Sequence, residues 1–139
     1  MMDLTRNNGL NLKSEAAKFF LFECEEDLLK IVDHAESCKM KIQVIGSGTN
    51  TIFPRYFSSI VIKSINNNFK FREENGAAKL EVGAAVIWDD LIDFCSNKNI
   101  YGLENLAGIP GTVGAAPIQN IGAYGCLLYT SDAADDDHC

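Results

Sequence analysis

The chain has 139 residues, 47% hydrophobic and 22% charged, the proportions of a globular protein rather than a disordered or fibrous one. That length accommodates one domain, or one small lobe plus part of a second. No stretch approaches the roughly 18 uninterrupted apolar residues of a membrane helix, and the net charge of −7 offers no basic stripe for nucleic-acid phosphates. Residues 1–13 are polar and Asn-rich, without a signal-peptide pattern. The expectation is a cytoplasmic protein with neither membrane nor nucleic acid as partner. Much of the charge comes from Asp132, Asp135, Asp136 and Asp137; without them the balance is 12 bases against 15 acids. The five cysteines, Cys24, Cys38, Cys95, Cys126 and Cys139, fit no CxxC or zinc spacing and are odd in number. Scattered reduced thiols and no metal site are expected.

In chain order, residues 18–23 (KFFLFE) form a short apolar run suited to a buried strand. A helix follows: Glu25, Glu26 and Asp27 place negative charge on its first turn, where the dipole favours it. Leu28, Leu29, Ile31, Val32, Ala35 and Cys38 recur at helical spacing, and Lys39 closes the far end. His34 lies one position off that stripe and is expected to face water. Residues 41–45 (KIQVI) and 58–64 (SSIVIKS) read as further strands. Residues 69–72 and 78–82 read as a hairpin across Asn75-Gly76, a dipeptide suited to positive φ. Residues 87–97 look like a second amphipathic helix with Ile87, Leu91, Phe94 and Cys95 on one face. Strand, helix, strand and then hairpin give an α+β class.

Two glycine-rich segments carry the chemistry. Gly46, Ser47, Gly48, Thr49, Asn50 and Thr51 directly follow a strand. Glycines let the backbone turn sharply and approach a ligand closely, and successive N–H groups there make a concave nest for an anion. No Lys follows Gly48, so this is no Walker A loop; no third glycine opens a helix, so it is no Rossmann fingerprint. A turn-forming cluster without a ligand is the alternative. The second segment, residues 102–125 (GLENLAGIPGTVGAAPIQNIGAYG), holds six glycines and two prolines in 24 residues, without helical or strand periodicity. It is too apolar for an exposed linker, and buried irregular backbone needs partners for its N–H and C=O groups. A large polar ligand is one such partner, a packed structural loop the alternative. Ala115 and Ala116 would leave room for a flat ring or a pyrophosphate.

Together these segments resemble the UDP-N-acetylenolpyruvoylglucosamine reductase (UDP-N-acetylmuramate dehydrogenase) family, flavoenzymes of bacterial peptidoglycan synthesis. The long run is the family's most distinctive stretch, and GSGTN with the following TIF resembles its earlier loop. The likeness runs from about residue 12 to residue 125. The family more often has Ser where this chain has Thr49, and residues 7–12 match its opening only loosely. The resemblance implies an α+β fold of the p-cresol methylhydroxylase (vanillyl-alcohol oxidase) type, with FAD between two subdomains and only the first and the start of the second present here. It implies that Gly46, Ser47, Gly48, Thr49, Asn50 and Thr51 contact the pyrophosphate. Ile109, Pro110, Gly111, Thr112, Gly114, Ala115, Ala116, Gln119, Asn120, Gly122 and Ala123 would line pyrophosphate, ribose and flavin, and Tyr124 would bind substrate. It further implies NADPH as co-substrate, a UDP-sugar enolpyruvyl ether as substrate, and a monomer when full length. In the family, hydride passes from NADPH through FAD to the enolpyruvyl double bond, and a serine, an arginine and a glutamate assist. None of those three has a counterpart here, so no catalytic residue is assigned. An inactive fragment that binds FAD weakly or not at all is expected.

After Gly125 the family pattern stops. Residues 126–135 (CLLYTSDAAD) resemble the translation of a transposon-type sequencing adapter, TGT CTC TTA TAC ACA TCT GAC GCT GCC GAC. The expected organisation is therefore 1–17 as an amino-terminal extension, 18–125 as a partial FAD-binding domain, and 126–139 as a non-native tail. Two other readings stay open: another FAD oxidoreductase of the same fold, and a non-catalytic module that keeps it. The downstream gene distinguishes all three, and the source DNA tests the tail, for which a genuine acidic tail is the alternative.

Overall fold

The computed structural model describes residues 1–124 and the backbone of Cys126–Leu127. The reading of residues 126–139 as an adapter-derived tail lies, apart from that two-residue strand, outside the described residues. The chain forms two compact units, Met1–Asn66 and Asn67–Cys139.

The first unit is a four-stranded sheet with one helix. Its strands are β1 (Met2–Asp3), β2 (Glu15–Phe22), β3 (Ile42–Ile45) and β4 (Tyr56–Ser64), in spatial order β1-β2-β4-β3. β1 runs antiparallel to β2, while β2 and β3 each run parallel to β4. The central strand β4 carries Ile60-Val61-Ile62, a β-branched run whose side chains are all buried, as a strand covered on both faces requires. Ile60 and Ile62 pack with Ile31 and Ala35 of helix α1 (Glu25–Ser37), alongside Phe20 and Phe22. Val61 points the other way, into Leu4, Ala16, Ile45 and Phe53. Burying each of these three side chains contributes roughly 2 kcal/mol.

Helix α1 begins without a side-chain cap, its first turn instead carrying Glu25, Glu26 and Asp27 against the dipole. It ends in a Schellman motif: Met40 N–H donates to Ala35 O, Lys39 N–H donates to Glu36 O, and Lys39 takes φ 53°. The expected apolar stripe is narrower than its spacing implied. Ile31 and Ala35 are buried, but Leu29 and Cys38 are exposed, because a stripe of about one fully buried residue per turn suffices against a single sheet face. His34 does not simply face water. Its ring meets Phe20 edge-on at 5.9 Å, and Lys18 Nζ contacts its Nε2.

The second unit joins a hairpin to a helix. β5 (Phe69–Glu74) and β6 (Ala77–Val82) pair antiparallel across Asn75 (φ 54°) and Gly76 (φ 78°), the two positive φ values of a type I′ turn. Helix α2 (Trp88–Asn97) lays Trp88, Leu91, Ile92 and Cys95 into the core with Leu106, Ala116 and Ile121. Phe94 stacks on Phe69 at 4.4 Å between centroids. Ile87, expected on the buried face, is the extended residue before the helix and is exposed; Trp88 takes the inward place. α2 also ends in a Schellman motif, with Ile100 N–H donating to Cys95 O and Asn99 at φ 55°. A short ladder, β7 (Gly122–Ala123) with β8 (Cys126–Leu127), follows.

Candidate cofactor-binding site

In the first unit the glycine loop lies at the carboxyl end of β3, where ligands of open sheets bind. Residues 46–55 link β3 to its parallel neighbour β4. Ile45 stands opposite Lys63, seven residues beyond Tyr56, where β4 starts. The link must return about 23 Å at ~3.3 Å per residue. Its ten residues reach roughly 33 Å extended but only about 15 Å as a helix. Connection length therefore forbids a helix here, and the loop stays open. Phe53 anchors it in the core.

Within this loop Gly48 is buried at φ 80°, and a Cβ there would fall 2.0 Å from Asn7 O. Only glycine fits. Gly9 N–H donates to Gly48 O at 2.9 Å, and Thr51 N–H closes a turn on the same oxygen at 3.2 Å. The N–H groups of Gly46, Ser47, Gly48, Thr49 and Asn50 meet no acceptor among the described residues. Ser47 Oγ and Thr49 Oγ1 lie 3.4 Å apart, and Thr49 and Asn50 are exposed. Unbonded donors with no acidic side chain in the loop are the chemistry that an anion-binding nest requires.

In the second unit protein groups already take up many of the long segment's backbone N–H groups, which bears on the packed-loop alternative as well as on the ligand reading. Val113 N–H donates to Val86 O and Gly114 N–H to Ala84 O, while Ala115, Ala116, Gln119, Asn120 and Ile121 bond within successive turns. Glycine is again obligatory at one contact, since a Cβ on Gly114 would fall 2.6 Å from Ala84 Cβ. Gly111 (φ 152°) is buried and its carbonyl accepts from Trp88 N–H. What remains unpaired is a side chain: Thr112 is buried, and its Oγ1 has no partner among the described residues.

The remaining positions divide by exposure. Ala116 puts its methyl into the core, so only Ala115 of the pair leaves space near the surface. Ile109 packs against the core; Pro110, Asn120, Gly122 and Tyr124 are exposed; Gln119 and Ala123 are half-buried. The segment is tied down by residues the sequence reading passed over. Trp88 Nε1 donates to Leu106 O at 2.9 Å, and Asp89 Oδ1 accepts from Gly108 N–H at 2.8 Å. Glu104 accepts from its own N–H and that of Gly102, which holds its carboxyl below the ordinary 4.5. No group of three or more His, Cys, Asp or Glu suited to a metal occurs among the described residues.

A family model described as an FAD binding domain matches residues 16–135. The chain belongs to that family. Among curated relatives it is 40% identical over 125 residues to the UDP-N-acetylenolpyruvoylglucosamine reductase of Photorhabdus laumondii, covering 90% of this chain and 37% of that protein. It is 36% identical to the protein of the same name from Bdellovibrio bacteriovorus, over 88% of this chain and 37% of that one. Against that from Shewanella baltica it is 46% identical over 90 residues, 65% of this chain and 26% of that one. The chain thus spans about a third of the length of these relatives. The crystal structure of the Thermus caldophilus UDP-N-acetylenolpyruvylglucosamine reductase matches with a TM-score of 0.66 at 21% identity, over 91% of this chain and 43% of that one. The fold is the α+β FAD-binding fold of p-cresol methylhydroxylase type.

The residues fit such a cofactor. In the first unit, the unbonded N–H groups of residues 46–50 offer the donors a phosphate would need; in the second, considered by itself, the orphaned Thr112 Oγ1 lacks the partner a polar ligand would supply.

Proposed function

We propose that this chain is the FAD-binding portion of an NADPH-dependent reductase that converts UDP-N-acetylglucosamine enolpyruvate to UDP-N-acetylmuramate. That step belongs to peptidoglycan synthesis, and so to cell-wall biogenesis, cell shape and cell division. The observation carrying this reading is the 40% identity to a reductase of that name across 90% of the chain. The chain takes a small-molecule substrate rather than nucleic acid or membrane, in a cytoplasmic protein that is monomeric at full length.

Gly46, Ser47, Gly48, Thr49 and Asn50 bind the pyrophosphate through backbone N–H groups, with Thr51 at the turn. Ile109, Pro110, Gly111, Thr112, Gly114, Ala115, Gln119, Asn120, Gly122 and Ala123 line the rest of the cofactor, and Ala116 holds the backbone from behind. Tyr124, 96% exposed, is turned outward to meet substrate. Bound FAD supplies the hydride chemistry between NADPH and the enolpyruvyl double bond. No residue of this chain is assigned the accompanying protonation. Titrating the isotope-labelled chain with FAD to millimolar concentration tests the assignment. Amide resonances of residues 46–50 and 109–123 should move and saturate together. Resonances that stay fixed there, or move only elsewhere, overturn it.

A further inference from the structure

The amino-terminal residues match the family's opening only loosely, yet they press directly on the glycine loop. Leu4 is fully buried in the first unit's core. A 3-10 turn follows at Thr5–Asn7. Asn8 is buried and fully engaged: Nδ2 donates to Leu4 O, Thr5 O and Leu12 O at 3.2, 3.2 and 3.0 Å, and Oδ1 accepts from Leu12 N–H at 2.9 Å. One amide thus closes a compact loop on itself. The outer edge of that loop is pressed against the glycine segment. Asn7 O lies 2.0 Å from where a Gly48 Cβ would be, Thr49 O lies 2.6 Å from where a Gly9 Cβ would be, and Gly9 N–H bonds Gly48 O. Ser14 holds the other end of the crossover, its Oγ donating to Pro54 O at 2.7 Å.

We propose that Asn8 is a positioning residue for cofactor binding: it fixes residues 4–12 as the template against which residues 46–50 take the shape that leaves their N–H groups unbonded. The proposal rests on the FAD reading above. The physical reason is the loop's own poverty of bonds. Within it, only the Thr51 N–H bond to Gly48 O and the contact between the Ser47 and Thr49 hydroxyls restrain it, so its shape comes from what it leans on. An Asn is required because the interior presents three carbonyls and one N–H, and only a carboxamide both donates and accepts.

Two variants test this. Asn8→Ala removes all four bonds; loss of a buried hydrogen-bonding group of this kind corresponds to roughly a tenfold rise in the Kd for FAD. Gly9→Ala leaves Asn8 intact and pushes on Thr49 O from the template side, and should weaken FAD comparably. In the ligand-free protein both should shift the amide resonances of Gly48, Thr49 and Asn50, while exchange protection of Ile60, Val61 and Ile62 persists. A merely structural role lowers Tm but leaves Kd unchanged for the folded protein, and that result overturns the proposal. Wild-type amides that do not respond to FAD would sink the cofactor reading by themselves. Should Asn8→Ala not fold, Gly9→Ala decides: unchanged loop amides and unchanged Kd reject the positioning role.

Discussion

Thr112 isolates a conflict between stability and binding in a single hydroxyl. Its Oγ1 is buried without a partner among the described residues, and an unpaired buried hydroxyl costs about 1–3 kcal/mol. Native proteins keep few such groups, and those they keep are often at sites of use. Thr112→Val preserves the shape and removes the unpaired oxygen. The ligand-free chain should gain about 1 kcal/mol, raising Tm by a few degrees, while FAD affinity falls about tenfold. Opposite signs in the two measurements are the signature. A variant that loses stability means the hydroxyl is paired in solution. This residue is only half legible in the sequence. The GTVG stretch marks Thr112 for a cofactor by resemblance, but nothing in the sequence says that its neighbours Val113 and Gly114 are already bonded to Val86 and Ala84.

At the scale of elements, helix α2 shows how a small error of phase moves a face. Ile87, Leu91, Phe94 and Cys95 fit a helical stripe, but Trp88, Leu91, Ile92 and Cys95 fit it better. The second set is the one buried, because the chain enters the helix only after Ile87. Trp88 ties α2 to the glycine-rich segment 102–125 through its bond to Leu106 O. Trp88→Phe leaves that carbonyl unpaired and opens a partial cavity. A loss of about 2–3 kcal/mol is expected by denaturant titration, and a loss under about 0.5 kcal/mol would show that the bond contributes nothing. Strands β2 to β6, both helices and the Asn75-Gly76 turn are legible because periodicity and turn chemistry are local signals, whereas β1 and β7, two residues each, are too short to show a period. The Schellman ends are not legible, since Lys39 and Asn99 stand where glycine is the usual mark. Nor is the template at residues 4–12, whose meaning lies in a packing partner some 40 residues away along the chain.

For the molecule as a whole, the titratable groups set a pH window. Asp3 is held below its ordinary 3.8, chiefly by the Thr5 hydroxyl, and Glu81 below 4.5, chiefly by Lys70. Glu26 and Asp27 are lowered as well, by Cys24 and by the Glu23 N–H respectively, and Glu104 by backbone N–H groups. A carboxyl whose folded value lies below its unfolded one stabilises the fold above the unfolded value, and that stability disappears as pH falls through the folded value. The thiols act in the opposite sense. Cys24 is raised above 9.0, chiefly by its bond to Glu26, and Cys95 by burial. Their contribution is complete below about pH 9 and is lost as pH climbs past the folded values. A plateau of stability from about pH 5 to 8 with a decline on each side follows. Added salt separates the causes on the acid side. Lys70–Glu81 is an exposed pair at 3.0 Å, which salt screens, whereas the bonds of Asp3 and Glu104 are short-range and persist. Thermal unfolding followed against pH at 0.05 and about 0.5 M NaCl should therefore show a shallower but surviving acid limb at high salt. An acid limb abolished by salt would assign it to ion pairs alone, and a Tm still rising below pH 4 would mean that relief of the −7 net charge outweighs every carboxylate bond.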